Sequence, residues 1–158
     1  MRTGPHRPTV NIKEMNPNTL PPISEFHHSV DLQIRFNDID ILGHLNNTVY
    51  FSFYDTGKAY FFKSIRGERM DWKKVDTVIA NVDCAYMKPI YFGESLQVLT
   101  RCVSIHEKSF RLQQVIVEKN TGEIKSAAET VMVGFDAATQ TAAELTADLR
   151  SALEKSMG

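Results

Sequence analysis

The feature that most constrains the fold of this chain is an aromatic segment between residues 50 and 62. Of the 9 Phe, 5 Tyr and 1 Trp in the chain, seven lie within it: Tyr50, Phe51, Phe53, Tyr54, Tyr60, Phe61 and Phe62. A run of this length that contains Gly57-Lys58-Ala59 is more typical of a helix than of a strand. At helical spacing its apolar residues cover every side, which predicts a helix buried all round. Other parts of the chain must therefore wrap it.

The ends of this helix are marked by residues that cap helices. Asn46-Asn47-Thr48 supplies side-chain oxygens that can accept hydrogen bonds from the first free N–H groups. Lys63 and Arg66 are favourable at the negative C-terminal pole, and Gly67 is suited to the left-handed residue that follows a helix. The sequence therefore predicts one long helix that follows the capping residues 46–48 and ends near Arg66-Gly67.

Most of the remaining chain has strand character. Residues 31–36 alternate polar and apolar side chains, which is typical of a half-buried strand. Four further β-rich segments are joined by short connections and predict an antiparallel meander; they span residues 77–87, 95–105, 110–119 and 124–136. Gln113-Gln114 interrupts the alternation of its strand and predicts a bulge there. A terminal amphipathic helix is predicted over residues 142–157.

This order of elements predicts an α+β fold in which one curved antiparallel sheet wraps one central helix. The 158 residues are the length of a single domain. Residues 1–28 hold five of the six Pro and few apolar residues, which predicts an irregular N-terminal arm that wraps a neighbouring surface. Residues 29–158 are predicted to form the domain, including the short C-terminal helix.

Charge and cysteine content argue against several classes of protein. Lys and Arg number 18 against 19 Asp and Glu, and this balance disfavours a nucleic acid partner. Cys84 and Cys102 form no C-x-x-C pair, so neither a zinc finger nor a disulfide framework is expected. No run of ~18 apolar residues predicts a membrane span, and the N-terminus lacks the apolar core of a signal peptide. We therefore expect a cytoplasmic protein with no metal and no cofactor.

Three motifs in the chain resemble those of one enzyme family. Residues 35–50 read RFNDIDILGHLNNTVY and resemble the pattern R-Y/F-x-D/E-T/C-D-x-x-G-H-V-N-N-x-x-Y of the 4-hydroxybenzoyl-CoA thioesterase-like hotdog family. Residues 53–58, FYDTGK, are similar to its Y-F-E-x-A-R segment, and residues 86–94, YMKPIYFGE, to its Y-x-x-P-x-x-x-G-D turn. The resemblance implies a hotdog fold, at least a homodimer, and hydrolysis of acyl thioesters of coenzyme A or acyl carrier protein.

The resemblance places the catalytic acid at Asp40. A carboxylate can attack a thioester carbonyl, giving a mixed anhydride, or it can remove a proton from water. The sequence does not decide between the two roles. A loop Asp can also simply bond its own backbone. Asp55, an acid within the aromatic helix, is the second candidate, and its alternative role is an ion pair with Lys58.

Other residues of the motifs are candidates for binding and polarising the substrate. Gly43 permits an unusual backbone conformation or a close approach of substrate. Asn46 and Asn47 cap the helix, and a backbone N–H near Asn47 is suited to polarising the thioester carbonyl. His44 could orient Asp40 or could be a structural residue. Further contacts to the substrate are predicted for Tyr50, Lys108 and Ser109.

The sequence thus predicts an acyl-CoA thioesterase that works as a homodimer or homotetramer. An acyl-ACP thioesterase is the alternative within the same class, because coenzyme A and the carrier protein present the same pantetheine arm. A non-catalytic hotdog module that binds acyl thioesters is the alternative from another class. Such a module would not need the acid at position 40.

Overall fold

The computed structural model describes Leu20, residues 22–67 and residues 74–158 of the chain. Its helices and strands, in chain order, are β1 (His28–Leu32), α1 (Asn47–Arg66), β2 (Thr77–Tyr86), β3 (Leu96–Ile105), β4 (Ser109–Glu118), β5 (Ile124–Asp136), β6 (Thr141–Ala142) and α2 (Ala147–Met157).

The five long strands form one antiparallel sheet in the order β1-β3-β4-β5-β2, and β6 pairs with the end of β5. The predicted meander is therefore correct for β3, β4 and β5 but wrong for β2, which lies beyond β5. Turn residues show where a strand ends, but they do not show which strands lie next to each other in the sheet. The chain after β2 accordingly crosses from one side of the sheet to the other before β3 begins.

Helix α1 has the predicted ends. The side chain of Asn46 accepts from the N–H of Thr48, and Gly67 ends the helix with φ +63°. The prediction of burial on all sides is wrong, because one curved sheet covers only one side of a helix. Its buried face comprises Tyr50, Phe53, Tyr54, Gly57, Lys58 and Phe61. On the other side Phe51 and Tyr60 are 41% and 51% exposed.

Two other predicted elements differ in their limits. Strand β1 ends at Leu32 and not at residue 36, because its partner strand begins at the residue opposite, Leu96. The terminal helix begins at Ala147 and not at residue 142, because Thr146 caps it and Thr141–Ala142 pairs with β5. The alternating pattern of a sequence can continue beyond the last residue that has a partner in the neighbouring strand.

The interruption at Gln113-Gln114 is a buried polar contact and not a bulge. Both residues keep their register with β3 and β5. Gln114 is fully buried, and its Nε2 donates to the carbonyl of Tyr54 in α1 at 3.0 Å. A Cβ at position 57 would lie 2.8 Å from that nitrogen and 2.9 Å from a methyl group of Val98. Helix α1 therefore approaches the sheet most closely where residue 57 is glycine.

Part of the predicted N-terminal arm lies on the outer face of the sheet. Leu20, Ile23 and Phe26 pack there in one apolar cluster with Leu99, Val115, Val117, Ala127 and neighbouring residues. Glu25 forms an ion pair with Arg101 at 2.7 Å, which holds this segment in place. Residues 1–19 and 21 of the predicted arm lie outside the described residues.

Candidate active site

The loop that carries Asp40 is a narrow turn between β1 and α1. We call residues 38–46 the Asp40 loop. The N–H of Asn46 donates to the carbonyl of Asp38 at 2.8 Å, and the N–H of Asp40 donates to the carbonyl of His44 at 2.9 Å. Residues 39 and 45 pair between them. The loop is thus a short antiparallel ladder, and its register is set by backbone hydrogen bonds.

The Asp40 carboxylate is half-buried near the tip of this loop. One oxygen, Oδ1, accepts from the N–H of Leu42 at 2.8 Å. No described residue donates to the other oxygen. Gly43 lets the loop turn because it takes φ +80°, and its N–H donates to the carbonyl of Asp40 at 3.0 Å. The loop therefore fixes the orientation of the carboxylate and leaves one oxygen available for chemistry.

The neighbouring acid, Asp38, is in a different environment. Its side chain is buried, and it accepts from the N–H of Arg35 at 2.8 Å and from the Arg35 guanidinium at 3.0 Å. Burial alone would raise the pKa of Asp38, but the hydrogen bonds from Arg35 outweigh it and hold the pKa below its usual value. Asp38 is thus a charged structural anchor of the loop, and Asp40 is the more accessible of the two acids.

The N-terminus of α1 presents an unpaired N–H group. The side chain of Asn46 accepts from both the N–H and the hydroxyl of Thr48, at 2.9 and 2.7 Å. The N–H of Val49 donates to the carbonyl of Asn46 at 2.9 Å. In the described part of the chain nothing accepts from the N–H of Asn47. This donor lies at the positive pole of the helix, where an oxyanion is stabilised.

Asp40 and this N–H lie at opposite ends of the same short ladder. Asp40 is two residues along the loop from Asp38, which bonds directly to Asn46. Two residues of extended chain span roughly 7 Å. The backbone of Asp40 and the N–H of Asn47 are therefore separated by a distance of about this order.

The remaining predicted residues near the loop hold it together. His44 touches Asp40 through its backbone carbonyl, and its ring packs edge-on against Tyr91 at a centroid distance of 5.2 Å. Tyr50 is buried in the core against Tyr86 at 4.8 Å. Burial raises the pKa of Tyr50 to about 12, and the neighbouring Tyr86, Cys84 and Glu94 add to that increase.

Asp55 forms the ion pair with Lys58 that its spacing suggested. The two groups are 3.1 Å apart; the Lys58 side chain is buried and that of Asp55 is largely exposed. Asp55 is eight residues into α1 from Asn47, which corresponds to about 12 Å along the axis. It therefore lies well away from the Asp40 loop.

Within one chain, Lys108 and Ser109 lie at the opposite end of the sheet from the Asp40 loop. They follow β3, and Ser109 pairs with Val133 of β5. This end of the sheet packs against the C-terminal half of α1. Phe110 of β4 and Phe61 of α1 belong there to one apolar cluster. One chain thus brings together Asp40, Gly43, His44, Asn46 and Asn47, but not Lys108 or Ser109.

The sequence did not indicate the part that Tyr86 takes in the site. Its hydroxyl donates to the carbonyl of Asn47 at 3.1 Å, so β2 is tied to the first turn of α1. Burial raises the pKa of Tyr86 above its usual value, so the phenol is a protonated donor well beyond neutral pH. Tyr86 begins the third motif, but a position in a motif does not show which helix its side chain reaches.

Within residues 22–67 and 74–158, no three His, Cys, Asp or Glu side chains come together in a group that could hold a metal ion. Neither helix in the same ranges is long and apolar enough to cross a membrane.

Comparison with known proteins places this site in context. The model of the Thioesterase-like superfamily matches residues 34–153. The long-chain acyl-CoA thioesterase FadM of Escherichia coli is 24% identical over 127 residues, covering 78% of this chain and 95% of that protein. A crystal structure of a thioesterase from Thermus thermophilus with coenzyme A and Zn has 26% identity and a TM-score of 0.76, covering 86% of this chain and 98% of that chain.

A structure of 4-hydroxybenzoyl-CoA thioesterase, in a mutant complexed with 4-hydroxybenzoyl CoA, shares the fold. It has 17% identity and a TM-score of 0.71, and it covers 80% of this chain and 97% of that chain. The predicted hotdog architecture, a curved antiparallel sheet around one long helix, is therefore confirmed.

Proposed function

The chain belongs to the thioesterase-like superfamily, and we propose that it hydrolyses acyl-CoA to the free acid and the coenzyme A thiol. The observation that carries the proposal is the presence of two groups of opposite character that no described residue engages, one in the Asp40 loop and one directly after it. They are the free oxygen of the Asp40 carboxylate and the N–H of Asn47 at the start of α1.

In this proposal the N–H of Asn47 polarises the thioester carbonyl. A backbone donor at a helix N-terminus can stabilise the negative charge that forms on the oxygen during attack. The hydroxyl of Tyr86 holds the carbonyl of the same residue and so keeps the peptide in place. The site then needs no side chain at position 47 as an acid or base.

Asp40 supplies the carboxylate that starts the reaction. As a nucleophile, its oxygen bonds to the carbonyl carbon, the C–S bond breaks, and water hydrolyses the resulting anhydride. As a general base, it takes a proton from water while the water oxygen bonds to the carbonyl carbon; the C–S bond then breaks, and the proton passes to the leaving thiolate of coenzyme A. Label found in the Asp40 side chain after one turnover in ¹⁸O-labelled water identifies the nucleophilic route, because general-base catalysis places the label only in the released acid.

The complete site is proposed to need a second copy of the chain. Strand β2 is an edge of the sheet, and each of its 10 residues is exposed or half-buried. If β2 pairs antiparallel with β2 of a second copy, the N-terminal end of one β2 lies beside the C-terminal end of the other. Opposite ends of the two sheets then become neighbours. Lys108 and Ser109 of the partner would then approach the Asp40 loop, where they could contact the nucleotide of coenzyme A.

Exposed apolar residues beside the loop favour the same assembly. Phe36 and Phe92 contact each other edge-to-face at 6.4 Å and are 83% and 60% exposed. Ile41 and Leu42, at the tip of the Asp40 loop, are also largely exposed. A cluster of this kind is typical of a surface that a partner covers.

We therefore expect a homo-oligomer in solution, with the dimer as its unit. Sedimentation equilibrium should give at least twice the 17.9 kDa of the chain. A monomer at the concentrations used for activity measurements, still with full turnover, would contradict the shared site.

The function itself is tested by thiol release from a panel of acyl-CoA substrates, from short aliphatic to long aliphatic and aromatic. Turnover above the rate without enzyme is the expected result, and the preferred acyl group defines the specificity. Absence of turnover on the whole panel would contradict the proposal. The same panel on acyl carrier protein would then separate an acyl-ACP thioesterase from a module that only binds.

A further inference from the structure

The Asp40 loop is held from one side by the chain that joins β2 to β3. The N–H of Leu45 donates to the carbonyl of Ile90 at 2.8 Å. His44 pairs with Tyr91 through the backbone, and their rings are in contact. Because the carbonyl of His44 in turn accepts from the N–H of Asp40, the position of Asp40 depends on residues 90 and 91.

Residues 90 and 91 are fixed by the carboxylate of Glu94. One of its oxygens accepts from the N–H of Tyr91 at 2.8 Å, across a turn in which Gly93 takes φ +95°. The other oxygen accepts from the Lys125 ammonium at 2.8 Å. Glu94 therefore connects the turn beside the Asp40 loop to strand β5.

Lys125 is a firm point of attachment because its side chain is buried in the sheet. The side chain is 6% exposed. Its ammonium also donates to the carbonyl of Pro89 at 3.3 Å, and its own carbonyl accepts from the N–H groups of Met87 and Lys88. Burial by itself would lower the pKa of Lys125, but hydrogen bonds to Glu94 and Glu123 outweigh it and raise the pKa above its usual value.

Glu123 is a second carboxylate that contacts the Lys125 ammonium, and it differs from Glu94 in its other contacts. Glu123 lies 3.0 Å from the Lys125 nitrogen, and its other oxygen accepts from the exposed Lys88. Unlike Glu94, it makes no hydrogen bond to residues 90 or 91 among those described. The chain thus contains two acids with the same charged partner, of which only one reaches the turn that holds the Asp40 loop.

We propose that Glu94, anchored by Lys125, is a positioning residue that sets the placement of Asp40 for attack on the thioester. This inference rests on the proposed function. The ion pair acts through three consecutive contacts: Glu94 with the Tyr91 N–H, residues 90 and 91 with residues 44 and 45, and His44 with Asp40. A misplacement of about 1 Å at a reacting group can cost on the order of 100-fold in rate.

The test compares Glu94→Ala with Glu123→Ala on the best acyl-CoA of the panel. Both variants remove one carboxylate from Lys125, so the change of charge is matched. We expect kcat to fall by about 10- to 100-fold in Glu94→Ala and to stay within about twofold of wild type in Glu123→Ala. Inhibition by free coenzyme A should be equal in all three proteins, since Glu94 is inferred to place the acid and not to bind the product.

Rates are measured well below the melting temperature of each variant, so that all molecules are folded. A merely structural role for Glu94 would lower the melting temperature and leave kcat unchanged. Glu94→Gln should retain more of the rate than Glu94→Ala, because its amide oxygen can still accept from the Tyr91 N–H. If Glu94→Ala does not fold, Glu94→Gln replaces it, and its kcat should still lie below that of Glu123→Ala because the ionic bond to Lys125 is lost. Folded Glu94 variants with the kcat of Glu123→Ala would overturn the inference.

The Asp40→Asn variant separates this inference from the proposed function. If that variant retains wild-type turnover, the assignment of Asp40 fails, and the positioning of Asp40 fails with it. If turnover is lost in Asp40→Asn and retained in the folded Glu94 variants, only the positioning inference fails.

Discussion

Asp40→Asn should lower kcat by about 10²–10⁴-fold, the range for loss of an acid–base group. Asparagine has the same shape as aspartate, and its side-chain oxygen can still accept from the Leu42 N–H that holds Asp40 Oδ1 at 2.8 Å. The amide cannot attack the carbonyl or take a proton from water. We therefore expect unchanged stability and unchanged binding of coenzyme A, with kcat measured by thiol release.

Asp55→Asn is the matched control for that substitution. Asp55 is the other candidate acid, but it lies further along α1 in an ion pair with Lys58. Its replacement leaves a buried ammonium without its anion, so stability should fall more than kcat. The opposite order of effects on kcat, with Asp55→Asn worse than Asp40→Asn, would move the catalytic role into the helix.

Asp38→Asn should have its main effect on stability. The Asp38 carboxylate is 2% exposed and accepts from both the backbone and the side chain of Arg35. Because the Arg35 side chain is mostly exposed, solvent screens the ion pair. Asparagine can still accept from the Arg35 N–H with its amide oxygen, but its buried amide NH₂ then faces the guanidinium and has no acceptor there. We expect the free energy of unfolding at pH 7 to fall by about 1–3 kcal/mol, as measured by urea denaturation.

The loss in Asp38→Asn should depend on pH in a defined direction. Hydrogen bonds hold the pKa of Asp38 below its usual value despite burial. A carboxyl with a lower pKa in the folded state stabilises the fold above its unfolded pKa of about 3.9, and this contribution is lost as the pH falls through the folded pKa. The difference in the free energy of unfolding between wild type and Asp38→Asn should thus be smaller at pH 3 than at pH 7. An equal difference at both pH values would mean that the charge contributes nothing.

The ends of α1 are a case in which local sequence was sufficient. Asn46 caps the helix at its start and Gly67 takes a positive φ at its end, as their positions beside the aromatic segment indicated. Such features depend on atoms only a few residues apart. For the same reason the left-handed Gly43 and the limits of β5 could be predicted without knowledge of the rest of the fold.

The two acids of the Asp40 loop differ in burial, which the spacing of residues in the sequence does not specify. Asp38 and Asp40 are two residues apart in the same kind of loop, yet the first is buried against Arg35 and the second keeps one oxygen available. The motif resemblance favoured Asp40, but burial and partners depend on how the loop packs against the core. The same limit applies to Gln114, whose partner is the carbonyl of Tyr54, 60 residues away.

The sequence by itself therefore determined which segments form the long helix and the long strands, and how α1 begins and ends, because caps, periodicity and glycine conformations act within a few residues. The tertiary structure alone decided that β2 pairs with β5, that α1 is covered on one side, and that Glu94 joins the turn beside Asp40 to Lys125, 31 residues further on. The reason is physical: these features are contacts between distant segments. The free energy of these contacts depends on the assembled sheet, and it cannot be inferred from any short stretch of sequence.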